Sequence, residues 1–187
     1  MRIIAGKLKG YVLHDSNDKN TRPLKDMVRE SIFNLLNHSN KFFFDFKNSN
    51  ILDLYAGTGS FGLECLSRGA RHVYFVENRK SALEILKKNI DKLKVKKKSE
   101  IFFIDTLKLK NKKNIFNFKF NLIFFDPPYK DFSFHKIIEF VSEEKLLTEN
   151  GLIVLHRSKS TKEKLPNHLN ILDERIYGQS KIIFGKF

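Results

Sequence analysis

Cysteine occurs once in the 187 residues, at Cys65. That excludes a disulfide framework and a thiolate zinc site, and it points to a reducing compartment, the cytoplasm. Long apolar runs are missing too. Ile101–Ile104 and Leu122–Phe125 are strand-sized, far short of the roughly 18 residues a membrane helix needs. The start, Met1-Arg2-Ile3-Ile4-Ala5-Gly6-Lys7, holds no apolar stretch of signal-peptide length, so export is not expected. No internal repeat and no Pro-, Gly- or Ser-rich linker divides the chain. Six scattered histidines lack metal-ligand spacing, so no metal is expected. Nothing resembles a coiled-coil seam, and a monomer is the default expectation.

Acidic residues are in deficit. Thirty-five Lys and Arg stand against 21 Asp and Glu, for a net charge of +14. The excess is uneven: residues 79–119 hold 14 basic and four acidic residues, and residues 1–49 nine and five. Such a field raises the on-rate and affinity for polyanions through counterion release, and favours a nucleic acid as partner. Lys94, Lys96, Lys97 and Lys98 are the densest cluster. The 41% hydrophobic content, with 19 Phe, excludes a disordered chain, and the length suits one domain with a real core.

An N-terminal extension, residues 1–40, precedes the main body, residues 41–187. Arg2–Ile4 and Gly10–Leu13 suit a short hairpin. Thr21-Arg22-Pro23 reads as a helix start, followed by Leu24, Val28, Ile32, Leu35 and Leu36 at helical spacing. From Asn50 onward strands and helices alternate. Strands are expected at Ile51–Tyr55, His72–Glu77, Glu100–Asp105, Asn121–Asp126 and Gly151–His156, with helices at Gly59–Arg68, Lys80–Leu93 and around Phe134–Val141. Leu169–Ile176 and Lys181–Phe187 lie too close together for a helical crossover and form an antiparallel hairpin. The result is a Rossmann-like α/β fold: a mostly parallel seven-stranded sheet ending in that hairpin, covered on both faces.

Leu52-Asp53-Leu54-Tyr55-Ala56-Gly57-Thr58-Gly59-Ser60-Phe61-Gly62 places a glycine loop where a strand turns into a helix, the setting of a nucleotide-binding turn. Eighteen residues after Gly59, Glu77 ends the second strand, where its carboxylate can accept from two ribose hydroxyls. Asp105 ends the third and can hold an adenine amino group. Ala56, Gly57, Thr58 and Gly59 form the turn, and Asp53 is placed to hold the amino-acid moiety of S-adenosylmethionine, directly or through water. The loop alone leaves two cofactors open: a dinucleotide, whose pyrophosphate would sit on the helix N-terminus, and S-adenosylmethionine, which has no phosphate.

The fourth strand runs into Asp126-Pro127-Pro128-Tyr129. Strand carboxyl ends form the ligand crevice of an open α/β sheet, so these residues should face the cofactor. Two prolines fix φ and lack N–H donors, which is expected to aim the carbonyls around them into the pocket. Asp126 and the Pro127 carbonyl then offer two acceptors for one exocyclic amine, and Tyr129 an aromatic face for a base. An aromatic amine is a poor nucleophile because its lone pair is delocalised. Two acceptors orient its N–H bonds and aim the lone pair at a sulfonium methyl, so positioning and electrostatics do most of the catalysis.

With these motifs the sequence resembles the bacterial 16S rRNA guanine-N2 methyltransferases, within the amino-methyltransferases carrying (D/N/S)-P-P-(Y/F/W). The likeness covers essentially the whole chain: Met1 to Gly10, Thr21-Arg22-Pro23, Val28-Arg29-Glu30-Ser31-Ile32-Phe33-Asn34, Leu52 to Glu64, Ser67-Arg68-Gly69-Ala70 and Tyr177-Gly178. It implies a class I methyltransferase domain over residues 41–187, S-adenosylmethionine as cofactor, and methylation of one flipped-out guanine in small-subunit RNA. The substrate is expected to be 16S RNA in an assembling or assembled subunit. Leu24 stands where that family has a small polar residue, and Leu155-His156-Arg157 where a glutamate-histidine pair is expected.

Competing readings are an adenine-N6 methyltransferase on DNA or another RNA, an NAD-dependent oxidoreductase suggested by G-x-G-x-x-G, and a non-catalytic RNA-binding protein. The last two do not account for Asp126–Tyr129. Arg22 and Arg29 are candidates for RNA phosphate, Arg29 equally for a structural ion pair. Cys65 reads as packing, and Phe42–Phe46 as a buried run or a stacking platform.

Overall fold

A computed structural model describes residues 1–15, 24–112, 115–162 and 164–187. The strands are β1 Asn50–Leu54, β2 His72–Glu77, β3 Ser99–Phe103, β4 Phe120–Phe125, β5 Leu147–Ser158, β6 Asn170–Tyr177 and β7 Ser180–Lys186. They form one seven-stranded sheet in the order β3-β2-β1-β4-β5-β7-β6. The first five are parallel; β7 runs antiparallel between β5 and β6. The helices are α1 Asp26–His38, α2 Ser60–Ser67, α3 Lys80–Lys92 and α4 His135–Glu143.

The strands alternate between two apolar faces, and both are covered, as parallel β-α-β connections require. Ile51, Phe75, Phe124, Val154 and Phe184 pack with α1, α2 and α3. Leu54, Val76, Phe125, Leu155 and Ile183 pack with Ile137, Ile138 and Val141 of α4. Across the first face Phe61 of α2 stacks on Phe124 with ring centroids 3.8 Å apart. Gly62 is there because of that close approach: a Cβ would lie 2.4 Å from the Phe75 ring.

Residues 1–15 lie on this body. Arg2 and Val12 form an isolated antiparallel bridge, so the expected hairpin is one bridge rather than two strands. Ile3 and Leu13 are buried in the same cluster as Phe61 and Phe75. The Glu64 carboxylate, wholly buried in α2, accepts from Ile4 N–H at 2.7 Å and Ala5 N–H at 3.0 Å. The Asn89 side chain in α3 accepts from His14 N–H at 2.7 Å and donates to the His14 and Thr58 carbonyls, each at 3.0 Å.

Several boundaries move. The first helix begins at Asp26, and Thr21-Arg22-Pro23 lie outside the described residues. Strand β3 stops at Phe103, and β5 starts four residues before Gly151 because Leu147 pairs with Phe120 across a register shift. In the phenylalanine run Phe44 and Phe46 are buried and Phe42 stacks on Phe184, while Phe43 is exposed. Among the described residues no helix is long and apolar enough to cross a membrane.

Candidate active site

Strand order reverses about β1: β2 and β3 extend to one side, β4 and β5 to the other. The crevice of an open α/β sheet opens at such a point, beyond the carboxyl ends of the strands. Register makes this concrete. Leu54 is opposite Phe125 and Phe125 is opposite Leu155, so the turn after β1, the tetrapeptide after β4 and His156 on β5 arrive side by side. A cavity of about 650 Å³ lies there, its lining including Ala56, Gly57, Thr58, Glu77, Asp105, Asp126–Tyr129 and His156.

On one side the glycine turn carries the chain from β1 into α2. Gly59 has φ 85°, and a Cβ on it would strike the Leu86 side chain at 2.3 Å. The left-handed backbone and the close contact both require glycine. Gly57 N–H donates to Glu77 Oε2 at 2.7 Å. Glu77 Oε1 accepts from the Asn78 and Arg79 N–H groups at 3.0 and 2.8 Å and from Arg79 Nε at 3.1 Å. The buried carboxylate is therefore fixed to the turn, with the partly exposed Arg79 side chain over it.

Two expected cofactor contacts change character. Asp53 does not line the cavity; its carboxylate, 1% exposed, lies under the turn and accepts from Gly62 N–H at 3.0 Å. Burial pushes this carboxyl well above its usual range, so Asp53 braces the turn rather than meeting an amino-acid moiety directly. Asp105 lies two residues beyond β3 and caps the following 3-10 turn, accepting from Leu107 N–H at 2.8 Å; it still faces the cavity.

On the other side, Asp126 Oδ1 is 2.8 Å from His156 Nδ1. Tyr129 Oη is 3.2 Å and Ser180 Oγ 2.9 Å from His156 Nε2. The carbonyls of the tetrapeptide do not all aim into the pocket as expected. Arg157, completely buried, donates to Pro127 O at 3.3 Å, Pro128 O at 2.9 Å, Tyr129 O at 3.0 Å and Asp131 O at 3.0 Å. A buried guanidinium must find acceptors for its N–H groups, and this loop supplies four carbonyls to its two terminal nitrogens. Its plane rests near Phe134, 4.6 Å from the ring centroid. Tyr55, at φ 60°, also lines the cavity, and its hydroxyl is 3.4 Å from Asp131 Oδ2. Burial pushes its phenol upward.

The basic candidates separate. Arg29 is a correction: it is completely buried, donating to the Arg2 carbonyl and, at 3.0 Å, to Asp26. It is a structural ion pair and cannot meet RNA phosphate. Arg22 lies outside the described residues. The Lys94 to Lys98 cluster follows α3 and precedes β3, at the amino ends of the parallel strands, the opposite end from the cavity. The thirteen residues of α3, at roughly 1.5 Å each, separate the two by about 20 Å. Lys108, Lys110 and Lys130 are exposed; Lys130 lines the cavity, and Lys108 and Lys110 lie in the 3-10 turn that follows β3. Cys65 is buried in α2 with its thiol pushed up by burial.

Sheet order, glycine turn, acidic β2 terminus and Asp126–Tyr129 together define a class I S-adenosylmethionine-dependent methyltransferase. The cavity fits that cofactor, with an acidic group at the end of β2 and a turn open enough that a Cβ on Gly57 would meet nothing nearer than Arg79 at 3.9 Å. More narrowly, the chain belongs to the family described as Conserved hypothetical protein 95, which it matches over residues 1–186. It is 33% identical over 180 residues to ribosomal RNA small subunit methyltransferase D of Haemophilus influenzae, covering 95% of this chain and 89% of that one. A protein of the same name from Buchnera aphidicola subsp. Acyrthosiphon pisum is 32% identical over 177 residues, covering 95% and 88%. The solved structure of a hypothetical protein from Thermus thermophilus shares the fold, with a TM-score of 0.78, 23% identity, and coverage of 100% of this chain and 99% of that one.

Proposed function

We propose that this protein transfers a methyl group from S-adenosylmethionine to the exocyclic N2 amine of a guanine in 16S ribosomal RNA, in an assembling or assembled small subunit. The observation that carries this is the placement of Asp126 at the end of β4, directly beside the glycine turn. A carboxylate acceptor there meets a flipped base where a bound cofactor ends. The names of the relatives supply ribosomal RNA as substrate, and the likeness of motifs supplies guanine.

Bound S-adenosylmethionine supplies an electrophilic methyl on a sulfonium. Glu77 holds its ribose, Asp105 its adenine, and Ala56 to Gly59 its flank. Asp126 accepts one N–H of the target amine. The Pro127 carbonyl, which keeps a lone pair beside its long bond to Arg157, accepts the other. This aims the nitrogen lone pair toward the methyl position. The methyl leaves its sulfur as it bonds the nitrogen, with S-adenosylhomocysteine as the second product. The amine's proton passes to solvent during or after transfer, so Asp126 need not be a strong base. Tyr129 presents a ring on which the base stacks.

The direct test is mass mapping of small-subunit RNA from a deletion strain, with and without complementation. Loss of one N2-methylguanine that returns with the gene supports the proposal; an unchanged RNA, or loss of an adenine methyl group instead, overturns it.

Glu77→Ala is expected to weaken S-adenosylmethionine binding by about 1–3 kcal/mol, the scale of charge-assisted hydrogen bonds. Calorimetry on the folded variant checks it, and unchanged affinity would remove the ribose assignment. RNA affinity should fall steeply with salt. Neutralising Lys108, Lys110 and Lys130 should lower the slope of log affinity against log salt by up to about 0.9 per lost phosphate contact. Replacing Lys94, Lys96, Lys97 and Lys98 together tests whether the RNA also reaches the far end; an unchanged slope there makes that cluster a solvated face.

A further inference from the structure

His156 departs from the residue pattern of the resembled family, yet it lies at the centre of the tetrapeptide's contacts. It sits on β5 one residue past Leu155, which pairs with Phe125, so the register delivers it beside Asp126. It is 5% exposed and reaches the cavity wall. Nδ1 is 2.8 Å from Asp126 Oδ1. Nε2 faces Ser180 Oγ at 2.9 Å and Tyr129 Oη at 3.2 Å. The Tyr129 ring meets the imidazole edge-on, with centroids 5.7 Å apart and planes at 74°. Ser180 is fixed in turn by its place opposite Ser158 at the start of β7.

Proton accounting then leaves little freedom. An ionised carboxylate only accepts, so the proton in the short contact belongs to Nδ1. In the neutral ring Nε2 is consequently an acceptor, taking a hydroxyl proton from Ser180 or Tyr129. One imidazole thus joins the group that holds the amine to the group on which the base stacks. Its other fixed point, the C-terminal hairpin, belongs to neither.

We propose that His156 is a positioning residue, locked as the Nδ1–H tautomer, that sets Asp126 and Tyr129 in a fixed mutual geometry for the target base. It takes Asp126 Oδ1, so that Oδ2 is the oxygen presented to the amine, and it fixes the tilt of the Tyr129 ring through the phenol oxygen. The inference rests on the reading of Asp126 as holder of the amine. It adds that the hairpin formed by β6 and β7 orients the catalytic tetrapeptide through a side chain on β5.

Two conservative replacements separate the halves of this role. The amide nitrogen of asparagine reaches where Nδ1 lies and can donate to Asp126, and the side-chain amide of glutamine reaches where Nε2 lies, with its oxygen able to accept from the hydroxyls there. The assay is methylation of small subunits from a deletion strain, using labelled S-adenosylmethionine, with single-turnover rate and KM for the subunit measured separately. His156→Ala should slow the transfer step by on the order of ten- to a hundredfold, the effect of a small misplacement of a reacting group, and raise KM, with cofactor affinity unchanged. His156→Asn should recover most of the rate, and His156→Gln most of the KM. A transfer rate in His156→Ala equal to that of the unaltered protein, or Asn and Gln variants that behave alike, would overturn the proposal. Nitrogen-15 shifts of the imidazole in the RNA-free protein give a reading independent of substrate and of the folding of the His156 variants. Nδ1 should carry the proton at neutral pH, and Asp126→Ala should abolish that preference. A proton found on Nε2 instead overturns the proposal. Failure of the unaltered protein to methylate any small subunit would count against the proposed function, while the nitrogen shifts still decide the role of His156.

Discussion

Asp126→Ala is expected to slow methyl transfer by a factor on the order of a hundred or more, while S-adenosylmethionine affinity stays unchanged. The size follows from what the carboxylate does. In the ground state the target amine of the proposed reaction is nearly planar and its N–H bonds are satisfied by any acceptor, including water. As the nitrogen begins to bond carbon it acquires positive charge, and an anionic acceptor already in place interacts more strongly with it then than before. Only that difference accelerates the reaction. Losing one well-placed transition-state contact of this kind typically costs on the order of a hundredfold or more. Asp126 is suited to the task because it does not have to move. Its backbone N–H is directed at Leu54 O, 3.4 Å away, and its Oδ1 lies against His156. Asp126→Asn should retain more activity, since its carbonyl oxygen can still accept. Single-turnover methylation of partly assembled small subunits, with cofactor binding measured in parallel, reads both quantities. Near-normal transfer by the alanine variant would end this mechanism. Loss of cofactor binding in its place would mean that Asp126 serves the other ligand.

The second large effect is expected at Arg157, through a different route. Four carbonyls of the loop after β4, from Pro127 to Asp131, converge on this one guanidinium, which is completely buried. In Arg157→Lys the charge stays but the planar fork is lost, and a lysine ammonium has three donors where arginine has five. At least one or two buried carbonyls lose their donor, at about 1–3 kcal/mol each. For a chain of this size each kcal/mol lowers the melting temperature by roughly 2–4 °C, so a drop on the order of 10 °C is expected. The transfer rate should fall by on the order of a hundredfold even well below the melting temperature, because Asp126 and Tyr129 flank the loop that has lost its anchor. Thermal unfolding and single-turnover rates at a temperature where the variant is folded check both parts. A variant with the unaltered melting temperature and rate would show that the prolines alone hold the loop.

Most of the architecture is legible in the sequence because periodicity and turn chemistry agree with it. His72–Glu77 reads as a strand because its apolar run is bounded by a polar turn on either side, and Glu77 then falls at its end without further argument. Asp126 is found in the same way, from a strand that stops at two prolines. What the sequence hides is the partner of each polar group. Asp53 has the same residue type and strand position as a ligand-binding acid, but β1 is the central strand and α2 lies directly on it, so the side chain is covered. Arg29 lies on a helix that looks amphipathic, and its contact with the Arg2 carbonyl depends on a segment distant in sequence. The Lys94 to Lys98 cluster is dense in one dimension, but direction along a parallel strand decides which end it occupies. Arg157 left one usable trace: a basic residue after the unbroken apolar run Leu152–Leu155, where burial forces it to find acceptors. Which acceptors those are depends on β4 lying beside β5, and no local pattern reports that.

Glu64 and Asn89 give the first fifteen residues a status that their position in the chain conceals. Both side chains are completely buried, and both direct their polar atoms at backbone groups of this segment, Glu64 at Ile4 and Ala5, Asn89 at His14. Without the segment a carboxylate would be left with Arg68 as its remaining donor. The amide of Asn89 would keep its bond to the Thr58 carbonyl and lose the rest. Each of the two bonds that the Glu64 carboxylate would lose contributes about 1.5–3 kcal/mol, together a large part of the roughly 5–15 kcal/mol that holds a typical domain together. Residues 1–15 and the sheet are therefore expected to melt as one cooperative unit. Through Asn89 and Thr58 the first strand-like turn of the chain and the cofactor turn share a single opening equilibrium, so hydrogen exchange at His14 and around Thr58 should have a common rate of release.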